Sequence, residues 1–353
     1  MIDILIAILI FGLIIAIHEF GHFAVAKLCG IRVNKFAIGM GPKLFKFQKG
    51  ETEYSLRVFP IGGFCAMEGE DETSDDERAF NNKPVWKRML VIVAGAAMNV
   101  LLGFILLIIL TSMIGKIPSM EISGFHADRN EKGEVIEYTS SSYESGLQVG
   151  DVIHSMNGLR IFTDTDLMYK LSSTNEETFD VVVIRNGKKV TVEDVKFEDT
   201  KTGGRIDFSL MPADNNPLSV ISYSAKDTIS TARLIWISLH DLVTGKYGVN
   251  ELSGPVGIVS TIGEAASIGE TIKEKVMSLL NLTIFITINV GICNMLPIPA
   301  LDGGRFFFLL VEAIRRKPIK PEHEGYVHLA GMALLFALMI FATYNDILRL
   351  IKG

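Results

Sequence analysis

The stretch IDILIAILIFGLIIAIHEFGHFAVAKL, residues 2–28, decides how the rest of the chain is read. From Ile2 to Ile17 only Asp3 interrupts an apolar run. Continued to Leu28, the segment is long enough to cross a hydrocarbon core of about 30 Å as a helix. A signal peptide would start with basic residues and end at a small-residue cleavage site. This segment has neither, and His18, Glu19 and His22 are built into its C-terminal end.

Three more segments read the same way. Leu90 to Ile114 and Val276 to Leu301 carry no charge, and Val327 to Tyr344 is almost as apolar. In a chain of 353 residues, 48% hydrophobic and 21% charged, the expected fold is a polytopic α-helical membrane protein with four spans, 1–28, 88–115, 276–301 and 326–348. The net charge of −6 is spread along the chain and gives no expectation of a nucleic-acid partner. Cys29, Cys65 and Cys293 have no paired metal-ligand spacing and read as buried thiols.

Lysines and arginines set the orientation. The connection after the first span holds Lys27, Arg32, Lys35, Lys43, Lys46, Lys49, Arg57, Arg78, Lys83, Lys87 and Arg88, and the one before the last span holds Arg305, Arg315, Arg316, Lys317 and Lys320. Both are expected on the cytoplasmic side, with the long middle region and both termini outside.

Residues 29–87 read as short strands and hairpins broken by Gly39, Gly41, Pro42, Gly50, Pro60, Gly62 and Gly63, followed by an acidic exposed loop from Glu68 to Glu77. Residues 117–212 read as a small soluble domain, with strands flanking the Asn186-Gly187 turn. Residues 213–275 include a helix from Ser219 to Val243, too charged to span, at the membrane surface or packed on the outer domain. Residues 302–325 read as a cytoplasmic loop.

The chemistry lies in His18-Glu19-Phe20-Gly21-His22. Four residues apart on a helix, His18 and His22 share a face and can offer two imidazoles to one metal, with Glu19 beside them to handle protons. Ionisable groups at the end of a membrane helix are functional candidates by default. A catalytic zinc takes three protein ligands and leaves one position for water. The third span runs into Asn294-Met295-Leu296-Pro297-Ile298-Pro299-Ala300-Leu301-Asp302-Gly303-Gly304, where Asp302 is the only acid. The first and third spans arrive at the same face, so Asp302 can converge with the histidines.

Together, the His-Glu helix, the Asn294–Gly304 run and the four spans resemble the site-2 protease family of intramembrane zinc metalloproteases. The resemblance is closest to the regulator-of-sigma-E protease type, bacterial members with an outward PDZ domain that cleave anti-sigma factors. Ala79–Pro84, Ala94-Gly95 with Asn99, and Leu252–Ile258 extend the match; Ala96 departs from it, standing where such proteins usually have proline.

The resemblance implies that His18, His22 and Asp302 bind Zn2+, that Glu19 is the catalytic acid/base, and that Asn294 helps hold the unwound substrate backbone. Leu56–Phe64 resembles the family's membrane-associated β-hairpin, which makes Gly62 and Gly63 candidates for substrate pairing by strand addition; a plain cytosolic hairpin is the alternative. Gly133-Glu134-Val135, Ser145–Ile153 and Met156-Asn157-Gly158 resemble a single PDZ domain that either docks substrates or filters them by size. The expected partners are membrane lipid and transmembrane substrates, such as a pre-trimmed anti-sigma factor or a signal-peptide remnant. An inactive membrane scaffold would be expected to have lost metal and proton-transfer positions, and all are present. A transporter would be expected to show an internal repeat, and none is visible.

Overall fold

The computed structural model describes residues 2–70, 72–129, 135–173, 176–197, 206–246, 248, 253–317 and 321–352. Gly133, Glu134, Leu252 and Lys320, singled out above, lie outside them.

Along the chain, α1 (Ile2–Leu28) leads into β1 (Val33–Lys49), β2 (Thr52–Met67) and α2 (Val85–Ile114). The middle region contains β3 (Ile117–Phe125), β4 (Ala127–Arg129), β5 (Val135–Tyr138), α3 (Ser141–Glu144), β6 (Val152–Met156), β7 (Leu159–Arg160), α4 (Asp164–Ser172), β8 (Phe179–Arg185), β9 (Lys188–Val195), β10 (Phe208–Ala213) and α5 (Pro217–Val243). The chain ends with α6 (Pro255–Ser267), α7 (Ile272–Asn294), α8 (Asp302–Arg315) and α9 (Pro321–Lys352). It divides into two compact units, residues 1–106 with 238–353, and residues 107–237.

In the first unit, α1, α2, α7 and residues Glu324–Lys352 of α9 are long and apolar enough to cross a membrane. Without a hydrophobic drive between helices in lipid, close approach depends on small residues. A Cβ at Gly21 of α1 would lie 2.4 Å from the Ala94 carbonyl oxygen, and one at Gly291 of α7 would lie 2.9 Å from that of Ala96. Glycine at these points lets α1 and α7 close on α2 from two sides.

The segment expected to form short strands and hairpins is β1 paired with β2, and the pair doubles back on itself: residues 35–38 pair with 63–66 and also with 53–56, which pair in turn with 45–48. Gly39, Gly41 and Gly62 adopt positive φ of 85°, 85° and 89° within the pair, where the register shifts repeatedly. Regular pairing gives way there, between Ile38↔Gly63 and Phe45↔Leu56, and the irregular stretch lets the pair fold back on itself. Another difference lies past the third span: residues 302–315, expected as loop, form α8. Arg88 of α2 anchors it through Nη1 and Nη2 to Glu312 at 3.1 and 2.5 Å, both side chains largely buried.

In the second unit, strands run in the order β10-β3-β6-β8-β9, with β7 on β6, around a core that includes Ile122, Leu147, Met156, Leu167, Val181 and Val183. Asn186 and Gly187 turn β8 into β9 with φ of 52° and 74°, the left-handed pair such a tight hairpin needs. Of the two places considered for the charged helix, α5 takes the domain surface. Buried Asp166 accepts from Ser230 Oγ (2.8 Å) and Arg233 Nη2 (2.5 Å), and Thr163 Oγ1 donates to Asp227 Oδ1 at 2.8 Å. Burial holds the Asp227 carboxyl above the usual carboxylate range.

Candidate metal centre and active site

The two histidines sit where α1 is tightest against α2. A Cβ at Gly95 would lie 2.4 Å from His22 Nε2 and 2.7 Å from His18 Cε1, so only glycine leaves room for both rings. His22 Nδ1 lies 2.8 Å from the Val91 carbonyl oxygen. A carbonyl only accepts, so Nδ1 carries the proton and the Nε2 lone pair points forward.

Asp302 reaches the same point from α8. After α7 ends at Asn294, the chain turns with Ala300 at φ +78°, and His328 Nδ1 of α9 accepts the Ala300 N–H at 2.9 Å. The two following glycines then pass under the loop. A Cβ at Gly303 would lie 2.2 Å from the Leu296 carbonyl oxygen, and one at Gly304 would lie 2.5 Å from that of Ile298. The double glycine therefore fixes where Asp302 starts its helix.

The three side chains converge. His18 Nε2 is 3.0 Å and His22 Nε2 3.3 Å from Asp302 Oδ2, and the two Nε2 atoms are 3.1 Å apart. Ligands at zinc distances of about 2.0–2.1 Å in tetrahedral array stand roughly 3.4 Å from one another. Two imidazole nitrogens and one carboxylate oxygen at this spacing fit a zinc site with a position left for water.

A cavity of about 410 Å³ opens onto this cluster, lined by His18, Glu19, His22, Ile92 and Asp302, by Phe64, Cys65, Ala66 and Met67 at the end of β2, and by Glu70 just beyond it. Glu19 faces that strand: a Cβ at Gly63 would lie 3.2 Å from Glu19 Cγ. Among the described residues, 63–67 at the end of β2 have strand partners on one edge only, from β1, whereas 53–56 are paired on both edges.

Of the residues expected from sequence, His18, Glu19, His22 and Asp302 come together, and Gly63 borders them. Gly62 packs toward Met40 instead, and Asn294, the last residue of α7, is outside the cavity lining. Sequence reasoning missed Val91, whose role is a backbone carbonyl with no signature, and Glu70. It quoted Asn99 without a role, although a polar residue within an apolar span is itself a signal.

The family model for Peptidase family M50 matches residues 6–338. The chain belongs to Peptidase family M50. Relatives cover nearly all of it. It is 34% identical to the Regulator of sigma-W protease RasP of Bacillus subtilis, covering 97% of each chain. It is 35% identical to the Putative zinc metalloprotease CA_C1796 of Clostridium acetobutylicum, covering 98% of this chain and 97% of the relative. With the Putative zinc metalloprotease CPE1693 of Clostridium perfringens it shares 36% identity over 98% of both. The site-2 protease resemblance is borne out, and the chain is a peptidase with, among the described residues, four helices long and apolar enough to cross a membrane.

Proposed function

We propose that this M50 peptidase is an intramembrane zinc metalloendopeptidase in which His18, His22 and Asp302 hold the zinc and Glu19 moves the protons. The observation that carries the reading is the convergence of the three ligand atoms, 3.0–3.3 Å apart, beside Glu19 at the end of an apolar helix. The family and the zinc metalloproteases among its relatives support the metal.

When bound, zinc supplies Lewis-acid polarisation of the scissile carbonyl and lowers the pKa of a water. The protein's residues do the rest. Glu19 accepts the proton of the attacking water and gives it to the leaving amine as the C–N bond breaks. His22, tied to Val91, holds its ligating nitrogen in place. The available edge of β2 beside Glu19 suits a substrate segment that has left its helix, because a helical segment's carbonyls are already bonded internally. Gly63 keeps that approach clear, and Asn294 is assigned to the substrate backbone on family resemblance.

The substrates are transmembrane proteins, and the name of the Bacillus subtilis relative supports an anti-sigma factor among them. Exposed Met40, Leu44, Phe45 and Phe59 on the hairpin, interspersed with Lys43 and Lys46, suit contact with lipid. The six-stranded sheet with its short helices supports a PDZ-like domain, and the Lys/Arg distribution supports an orientation with that domain and both termini outside the cell and the active site toward the cytoplasm. Purified protein is expected to contain about one zinc per chain, and His22→Ala to lose it. Undiminished zinc in that variant, by plasma emission, overturns the ligand assignment.

A further inference from the structure

His18 and His22 differ in what stands behind them. Behind His22 is the Val91 carbonyl, which only accepts. Behind His18 is the side-chain amide of Asn99 in α2, its Nδ2 3.3 Å from His18 Nδ1. Asn99 is 0% exposed, and its Oδ1 has no hydrogen-bond partner. α7 holds the residue firmly: Thr287 Oγ1 donates to the Asn99 carbonyl oxygen at 3.1 Å, and a Cβ at Gly291 would lie 3.3 Å from Asn99 Cβ. A fully buried amide oxygen with nothing to accept from is rare in a settled interior and calls for a physical reason.

We propose that Asn99 is the positioning residue of His18, its Oδ1 accepting the Nδ1 proton that His18 carries when Nε2 is a metal ligand. An imidazole that ligates through Nε2 keeps its proton on Nδ1, and the group behind that nitrogen fixes the ring. An amide NH2 cannot accept it. A half-turn of the Asn99 amide exchanges Nδ2 for Oδ1 with almost no change of shape and satisfies the orphaned oxygen and the ring N–H together. The same amide serves either tautomer of His18, which the Val91 carbonyl cannot do for His22. His22 is thus the fixed ligand and His18 the adjustable one.

The inference rests on His18 being a ligand, so the test separates the two claims. Zinc affinity is measured in detergent by competition with a chromophoric chelator for the unaltered protein, His18→Ala, Asn99→Leu and Asn99→Asp. Loss of an outer partner of a ligating histidine weakens metal binding by about 10- to 100-fold. Asn99→Leu, of similar size but without an acceptor, is expected to lose that much. Asn99→Asp, which keeps an acceptor oxygen, is expected to stay within about threefold of the unaltered protein, a rescue that mere space-filling would not give. Unchanged affinity in Asn99→Leu, or equal losses in both variants, overturns the role of Asn99. If Asn99→Leu does not fold, Asn99→Ala, which also lacks an acceptor, takes its place: a loss of about 10-fold or more beside a near-normal Asn99→Asp upholds the inference, and unchanged affinity overturns it. Full zinc binding by His18→Ala would instead defeat the ligand assignment itself.

Discussion

His22 Nδ1 and the Val91 carbonyl oxygen, 2.8 Å apart, join α1 to α2 at the point where the proposed metal ligands project. The bond exists because Gly21 and Gly95 strip both helices of side chains at the crossing. Helix packing and ligand geometry are therefore one feature: whatever separates α1 from α2 also turns His22.

Gly95→Ala is the direct probe of that coupling. The new methyl would lie 2.4 Å from His22 Nε2, far inside contact distance. Overpacking of this kind destabilises by about 1–3 kcal/mol, and the least constrained way to relieve it is to push the rings away from Asp302. The variant is expected to reach the membrane and purify, but to retain less than half of its zinc by plasma emission. Full zinc content would mean that the rings tolerate displacement and that the glycine is there only for packing.

The second unit carries a comparable pairing. Asp166 is fully buried and relies on Arg233, Ser230 and backbone N–H groups of Phe162 and Thr163. Arg233→Ala leaves that carboxylate without its counter-charge. Because the Arg233 side chain is about a quarter exposed, a destabilisation on the order of 2 kcal/mol is expected, below that of a wholly buried pair. Chemical denaturation followed by protease susceptibility of residues 107–237 measures it. An unchanged midpoint would show that apolar contacts alone hold α5 to the domain.

Orientation is testable with single cysteines in a background lacking Cys29, Cys65 and Cys293. Ser142 is fully buried, so Glu144, exposed on the same short helix, is the better reporter for the middle domain, and exposed Asn82 serves for the connection after the hairpin. An impermeant thiol reagent added to intact cells is expected to label Glu144→Cys and spare Asn82→Cys. The reverse pattern would invert the topology drawn from the Lys/Arg distribution.

How far the sequence could be read depended on whether a residue acts through its side-chain type or through what lies opposite it. His18 and His22 were legible because four-residue spacing on a helix implies a shared face whatever surrounds it, and Asp302 because two spans ending at one face bring their ends together. Gly303 and Gly304 stand next to Asp302 in the Asn294–Gly304 run. That they pass beneath the Leu296 and Ile298 carbonyls is a tertiary fact without a local pattern. The glycines Gly39, Gly41 and Gly62 do mark where regular pairing gives way, but that residues 35–38 pair with both 63–66 and 53–56 is likewise a tertiary fact without a local pattern. α8 escaped notice because its charged ends suggest solvent, while its anchor, Arg88, lies in another helix.

The most direct test of the whole account is cleavage of a reconstituted transmembrane substrate by Glu19→Gln, with zinc measured on the same sample. The amide keeps the size of the side chain beside Gly63 but cannot take a proton from water. Zinc is expected to remain at about one per chain, with turnover falling by roughly 100- to 10,000-fold, the range general-base catalysis contributes. Turnover close to that of the unaltered protein, with zinc still bound, would contradict the assignment of Glu19 and with it the proposed peptidase mechanism.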